Sequence, residues 1–345
     1  MMLSQKRSDG GQSKAIGLAM ALLAACLLVG VMAATQGSKT GKERIGQRED
    51  RGRFPELMGR FNQRFPSDYR FLPPNSRQRL FGLGFRSRQQ RQNVELVGFT
   101  GGAIDDVLVS GNYAYCASGS GLLIFDVSNP SNPKLVRKLL LPSVAMGIYV
   151  SGNYAYVAAL NAGLRMIDVS NSTNPREVGF FDTPGYEWDI YVSGNYAYVA
   201  DGPAGLRVID VSNPTNLREV GFFDTPDWAC GVYVSGNYAY VADYTAGLRV
   251  IDVSNPINPR EIGYFDTPGE ARDVYISGNY AYVTDDWAGL RVIDVSNSTN
   301  LREVGFFDTL GDAEGIYVSE NYAYVADGPA GLRVIDVSNP TNLRE

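Results

Sequence analysis

Histidine is missing altogether from this chain of 345 residues. Its absence removes the commonest general base, every Ser-His-Asp or Cys-His nucleophile and every zinc site that needs an imidazole. Cysteine is nearly as scarce: Cys26, Cys116 and Cys230 lie far apart and without CxxC spacing. They read as small core residues and leave the redox compartment open. No glycine loop of the P-loop or dinucleotide type occurs, because the glycines follow a regular period and read as turns. Positive charge is short in one part only. Residues 94–345 carry 14 Lys/Arg against 31 Asp/Glu, a net −17, whereas residues 1–93 carry 17 against 6, a net +11. A basic tail precedes an acidic body, whose field repels phosphates and makes nucleic acid a poor partner for it.

The first 35 residues hold a signal peptide or membrane anchor. Ala15 to Ala34 is twenty residues without a charge, the length a helix needs to cross a bilayer core. A retained anchor, a secretory signal cleaved near Val31-Met32-Ala33, and lipidation at Cys26 in Leu23-Ala24-Ala25-Cys26 are the three outcomes. The basic residues from Lys39 to Arg53 favour keeping the C-terminal part inside, while the apolar run favours export to the cell envelope, membrane-anchored or secreted. Residues 36–93 read as a disordered Arg-rich linker, with neither helical nor strand period. Its phenylalanines beside arginines, as in RFPELMGRFNQRFP, also suit contact with an anionic surface.

From residue 94 the chain repeats. The Asn of N-Y-A-Y falls at Asn112, Asn153, Asn195, Asn237, Asn279 and Asn321, and the Asp of D-V-S-N at Asp126, Asp168, Asp210, Asp252, Asp294 and Asp336. A step of about 42 residues with four apolar runs is what a propeller blade requires. In one unit the strands are expected at Trp188–Val192, Tyr196–Ala200, Leu206–Val211 and Glu219–Phe223, separated by Gly-Asn, Gly-Pro and Asn-Pro turns.

The signature LRVIDVSNP at Leu206–Pro214, Leu248–Pro256 and Leu332–Pro340 has variants at Leu122, Leu164 and Leu290. With it the chain resembles the LVIVD-repeat proteins of bacteria and archaea over about 250 residues. The resemblance implies a propeller, and mostly surface or exported proteins without an assigned reaction. Residues 94–345 are therefore expected to form an all-β, six-bladed β-propeller. Leu96–Phe99 resembles a fourth strand and Glu345 stops where one should begin, so the N-terminal strand is expected to close the last blade. A longer parent of seven or more blades is the alternative.

Comparing the repeats with one another separates two faces. VSGNYAY and DVSNPxN scarcely vary, whereas the fourth-to-first and second-to-third connections vary freely and emerge together. The variable face holds Trp188, Trp228, Trp287, Tyr186 and Tyr244, with Glu187, Asp189, Asp227, Glu270, Asp273, Asp286, Asp312 and Glu314 against one base, Arg272. Aromatic planes and carboxylates suit a carbohydrate, a protein segment of basic character or another cationic ligand. The expected function is a non-enzymatic binding scaffold at the cell surface, a monomeric propeller without a cofactor. A glycan-active enzyme using Glu187 or Glu270 is one alternative, and a structural surface protein is another. The D-V-S-N aspartates and Asp182, Asp224, Asp266 and Asp308 are expected to hold turns. Asp201, Asp243, Asp285 and Asp327 are expected to stabilise hairpins, with a calcium ring as the weaker reading.

Overall fold

The computed structural model describes residues 104–345, all of them in strands and short connections apart from one 3-10 turn at Gly328–Ala330. The expected N-terminal helix, the linker and the closing strand Leu96–Phe99 lie outside the described residues.

The chain forms a six-bladed β-propeller. Blade three shows the pattern: β9 (Asp189–Ser193), β10 (Tyr196–Ala200), β11 (Leu206–Asp210) and β12 (Arg218–Phe223) form an antiparallel sheet in that order. These bounds differ from the expected ones by a residue at most. The other inner strands are β1 (Asp106–Ser110), β5 (Gly147–Ser151), β13 (Gly231–Ser235), β17 (Asp273–Ser277) and β21 (Gly315–Ser319). Each packs beside its successor around a common axis. Five sheets have four strands, and the last has three within the described residues, with a short bridge from Asp336 to Arg344.

The period of two in Y-A-Y-V-A sends alternate side chains to opposite neighbours. Ala197 and Val199 of β10 enter the core shared with blade two, whereas Tyr198 and Ala200 enter the core shared with blade four. The hydrophobic core is thus a set of blade–blade interfaces, anchored by fully buried Leu206, Ile209, Leu248 and Ile251. Each such side chain contributes about 1.5–3 kcal/mol of transfer free energy. The glycine in R-E-V-G-F-F is fixed by the same contact. A Cβ at Gly221 would stand 2.2 Å from the Pro256 carbonyl of the next blade, so only glycine lets that turn seat against the outer strand.

Candidate functional site

The acids that every blade repeats hold the fold. In D-V-S-N, Asp210 Oδ1 accepts from the Ser212 N–H at 3.0 Å and its Oδ2 faces Arg218 at 2.8 Å. Hydrogen bonds from Ser212, then the Arg218 guanidinium, pull that carboxyl down to about 2. Asp168, Asp252 and Asp294 repeat the arrangement. In F-D-T the expectation of turn residues needs correction. Asp182, Asp224 and Asp266 are exposed and reach across to Arg165, Arg207 and Arg249 at 3.4, 3.1 and 3.3 Å. Those arginines are buried, and each lies under the ring of Phe180, Phe222 or Tyr264, 4.7 Å from its centroid.

Asp201, Asp243, Asp285 and Asp327 are fully buried at the second-to-third loop. Each reaches to the preceding connection rather than staying within its own hairpin. Asp285 accepts from Thr267 Oγ1 at 2.6 Å and Gly269 N–H at 2.8 Å. Asp201 accepts from Thr183 at 2.8 Å and Gly185 at 2.9 Å. Burial raises the Asp201 carboxyl to about 6 even so. Their separate partners engage these carboxylates one blade at a time, and no cluster of three or more potential metal-ligating side chains occurs among the described residues.

Blade two breaks this pattern. Ala159 stands where the next four blades carry the aspartate, and its approaching connection reads Leu141-Pro142-Ser143 without the Thr and Gly donors. Glu187 stands where the later blades carry the buried Ala229, Ala271 and Ala313. Its backbone pairs with Leu160. Its side chain is 0 % exposed and neither carboxyl oxygen has a hydrogen-bond partner. Thr183 and the Ala159 N–H approach it, but Thr183 donates to Asp201 and Ala159 to the Gly163 carbonyl. Burial, then the Asp201 charge, raises the Glu187 carboxyl well above its usual range. Glu187 is therefore sealed beneath the variable face, where no large ligand reaches it.

The remaining candidates divide around the channel mouth. Tyr186 stacks on Trp228 at 6.2 Å with planes 9° apart, and Trp188 meets Trp228 edge-on at 6.5 Å. A small residue below makes this possible: a Cβ on Gly202 would lie 3.3 Å from both Trp188 Nε1 and the Trp228 ring. The Trp188 Nε1–H is buried without an acceptor. On later blades Arg272 binds Glu270 at 2.7 Å and Asp286 at 2.6 Å, and lies 4.9 Å from the centroid of the Tyr244 ring. Burial and, secondarily, the Asp286 charge raise Asp312, and burial raises Glu314. Asp227 is spent locally on the Thr245 N–H at 3.2 Å. Trp287 is 57 % exposed and lies outside the stacked group. The variable face thus has an aromatic half on blades two to four and an acidic half on blades four to six.

Asp189 and Asp273 belong to a different structure, which comparison of the repeats missed. With Asp106 they begin alternate inner strands, and Gly147, Gly231 and Gly315 begin the others. Each aspartate Oδ1 accepts from the next residue's N–H, and its Oδ2 clasps the following blade. The clasps are Ile148 N–H to Asp106 at 2.7 Å, Val232 to Asp189 at 2.8 Å and Ile316 to Asp273 at 2.9 Å. Burial raises all of them, aided by the charges of Asp273 and Asp106 at Asp189, of Asp106 at Asp273 and of Asp105 at Asp106: Asp106 goes to about 6, Asp273 to about 7, and Asp189 well above its usual range. Two residues deeper, Tyr149, Tyr191, Tyr233, Tyr275 and Tyr317 touch in sequence at 4.8–5.3 Å. The alternation of Asp and Gly at one repeat position was the signal that could have found this ring.

The LVIVD repeat model matches six times, over residues 101–140, 143–183, 184–225, 228–267, 268–309 and 310–345. The chain belongs to the LVIVD-repeat family. A search of curated proteins found no match. Among solved structures, the LVIVD-repeat chain is similar to a functionally unknown protein from Desulfotomaculum acetoxidans DSM 771, with TM-score 0.60 and 16 % identity, covering 70 % of this chain and 84 % of that one. It is also similar to the computationally designed Ika8 protein, with TM-score 0.57 and 10 % identity over 71 % and 74 % of the two chains. These likenesses show the fold alone.

Proposed function

We propose that this LVIVD-repeat propeller is a non-enzymatic binding scaffold that takes its ligand on the variable face. The Tyr186–Trp228–Trp188 cluster carries the reading. Among the described residues it is the one aromatic assembly on that face that the repeat does not generate, since the later blades place Glu270, Arg272, Asp312 and Glu314 at the matching positions. Facing it, the acidic half offers acceptors for hydroxyls or cations, so a carbohydrate or a basic protein segment fits the pair. Binding is favoured over glycoside cleavage by two features. Glu187 is sealed, and Glu270 is buried against Arg272. Display at the cell envelope rests on the Ala15–Ala34 run.

A glycan and peptide array probed with the wild type and with Trp188→Ala/Trp228→Ala tests the reading, with fractionation of cells for the location. Loss of signal in the double variant, with Trp287→Ala reduced less, is expected. Equal binding by all three proteins removes this face from the account.

A further inference from the structure

Glu187 occupies an exceptional place. It lies between Tyr186 and Trp188 in the chain, and its fully buried carboxyl has no hydrogen-bond partner. The matching Ala229, Ala271 and Ala313 pair with the neighbouring loops as Glu187 does, so the backbone path does not call for an acid here. We propose that Glu187 is a pH sensor beneath the binding face, keeping the Tyr186–Trp228–Trp188 cluster assembled while protonated and loosening it when ionised. This rests on the reading of that face as the binding surface.

The surroundings decide the direction. From the loop after β10, the Asp201 charge acts on Glu187, and the countercharge of Asp201, Arg207, is 3.8 Å from it. From β7 (Leu164–Asp168), Arg165 is the one nearby cation, but it is engaged by Glu177 at 3.6 Å and Asp182 at 3.4 Å. From the connection before β9, Thr183 gives its proton to Asp201, and from the loop after β6 (Tyr154–Ala158) the Ala159 N–H is spent on Gly163. The two donors within reach are engaged elsewhere, and the Asp201 charge, of the same sign, outweighs that of Arg165. A neutral acid costs far less there than an anion, which is pushed off Asp201. The Glu187 N–H is bonded to the Leu160 carbonyl at 3.0 Å. Displacement of the side chain therefore strains the segment from which both Tyr186 and Trp188 project. The switch is a local charge event acting on an aromatic stack.

Tryptophan emission of the full chain, followed from acid to mildly alkaline pH without ligand, tests this. The variants are Glu187→Gln, Glu187→Ala, which installs the residue of the sister blades, and Asp189→Asn, which removes the neighbouring axial acid. A reversible emission shift above the ordinary carboxylate range is expected in wild type and Asp189→Asn, and its loss in both Glu187 variants. Persistence in either Glu187 variant, absence from wild type, or loss only in Asp189→Asn overturns the proposal. Emission needs no ligand, so the two readings fail separately. A silent array with a Glu187-dependent shift removes the binding role and keeps the sensor, whereas array binding without the shift does the reverse.

Discussion

Replacing Asp273 by Asn should invert its effect on stability across neutral pH. The carboxyl moves from 3.8 in the ordinary state to about 7 in the fold, chiefly through burial. At about 1.4 kcal/mol per unit, the gap is worth at most roughly 4 kcal/mol. Asp273 is only partly buried, and the axial carboxylates titrate together, so about 2 kcal/mol is the working figure. The sign follows from the raised value. The full contribution is present below about pH 4 and is lost as pH rises through 7, so the wild type weakens toward alkaline pH. Asn carries no charge at any pH, but it turns an amide toward one of the two N–H groups, from Val274 and Ile316, that Asp273 accepts. That costs about 1 kcal/mol. The variant should be less stable than wild type by about 1 kcal/mol at pH 4, close to it between about pH 5 and 6, and more stable by about 1 kcal/mol at pH 8. For a body of this size each kcal/mol moves the midpoint by about 2–4 °C. Thermal unfolding by circular dichroism at four pH values reads the difference directly, and other titrating groups cancel. Asp210→Asn serves as the comparison, since that carboxyl is held low and its difference curve stays flat over the same range. Parallel curves for wild type and Asp273→Asn would falsify the assignment of a raised axial carboxyl.

Glycine at the axial position should matter unequally. A Cβ at Gly231 would come within 2.8 Å of the Asp273 backbone, whereas at Gly315 the nearest atom is 3.7 Å away. Gly231→Ala should cost about 1–3 kcal/mol of overpacking and Gly315→Ala little, and equal losses in urea midpoints would sink the geometric reasoning. Asp285→Ala strands the Thr267 hydroxyl and the Gly269 N–H. The variant should lose about 1–3 kcal/mol and become cleavable in the connection carrying Glu270 and Arg272, and unchanged proteolysis there would show that the loop needs no carboxylate.

Much of the architecture was legible in the sequence, because a propeller blade is specified locally. The period of two in Tyr196–Ala200 and the turn residues around it place strands without long-range information, so bounds came within a residue. The turn role of Asp210 was legible for the same reason. Side-chain partners were not. Turn chemistry tells neither that Asp182 reaches Arg165 on the neighbouring strand of its own blade, nor that Asp201 holds Gly185 in the connection entering its blade, nor that Asp189 points to the axis while Trp188 beside it joins an aromatic stack. Grouping Asp189 and Asp273 with the variable loops was reasonable by position. It missed that the first residue of an inner strand faces the channel and not the variable loops.

The departures from the repeat come in matched pairs, and that changes how they should be weighed. Asp alternates with Gly around the axis because the two need each other. Each carboxylate spans to the next blade's N–H, and the Gly of the blade before Asp189 or Asp273 leaves room where a Cβ would press to 2.8 Å. Six carboxylates at this level would add repulsion and remove that room, so a six-fold repeat settles into a three-fold ring. Ala159 and Glu187 form a second pair, in which a lost acid on one loop is answered by an acid on the next. Packing explains the first pair, whereas the second leaves the Glu187 carboxyl buried without a hydrogen-bond partner, which packing alone does not explain. The Tyr186, Trp188 and Trp228 cluster over Gly202 is different, because its rings satisfy no partner that the other blades lack, and Trp188 keeps an unanswered N–H. Among the variable residues, those three have the weakest structural excuse, and they are where a search for the ligand should begin.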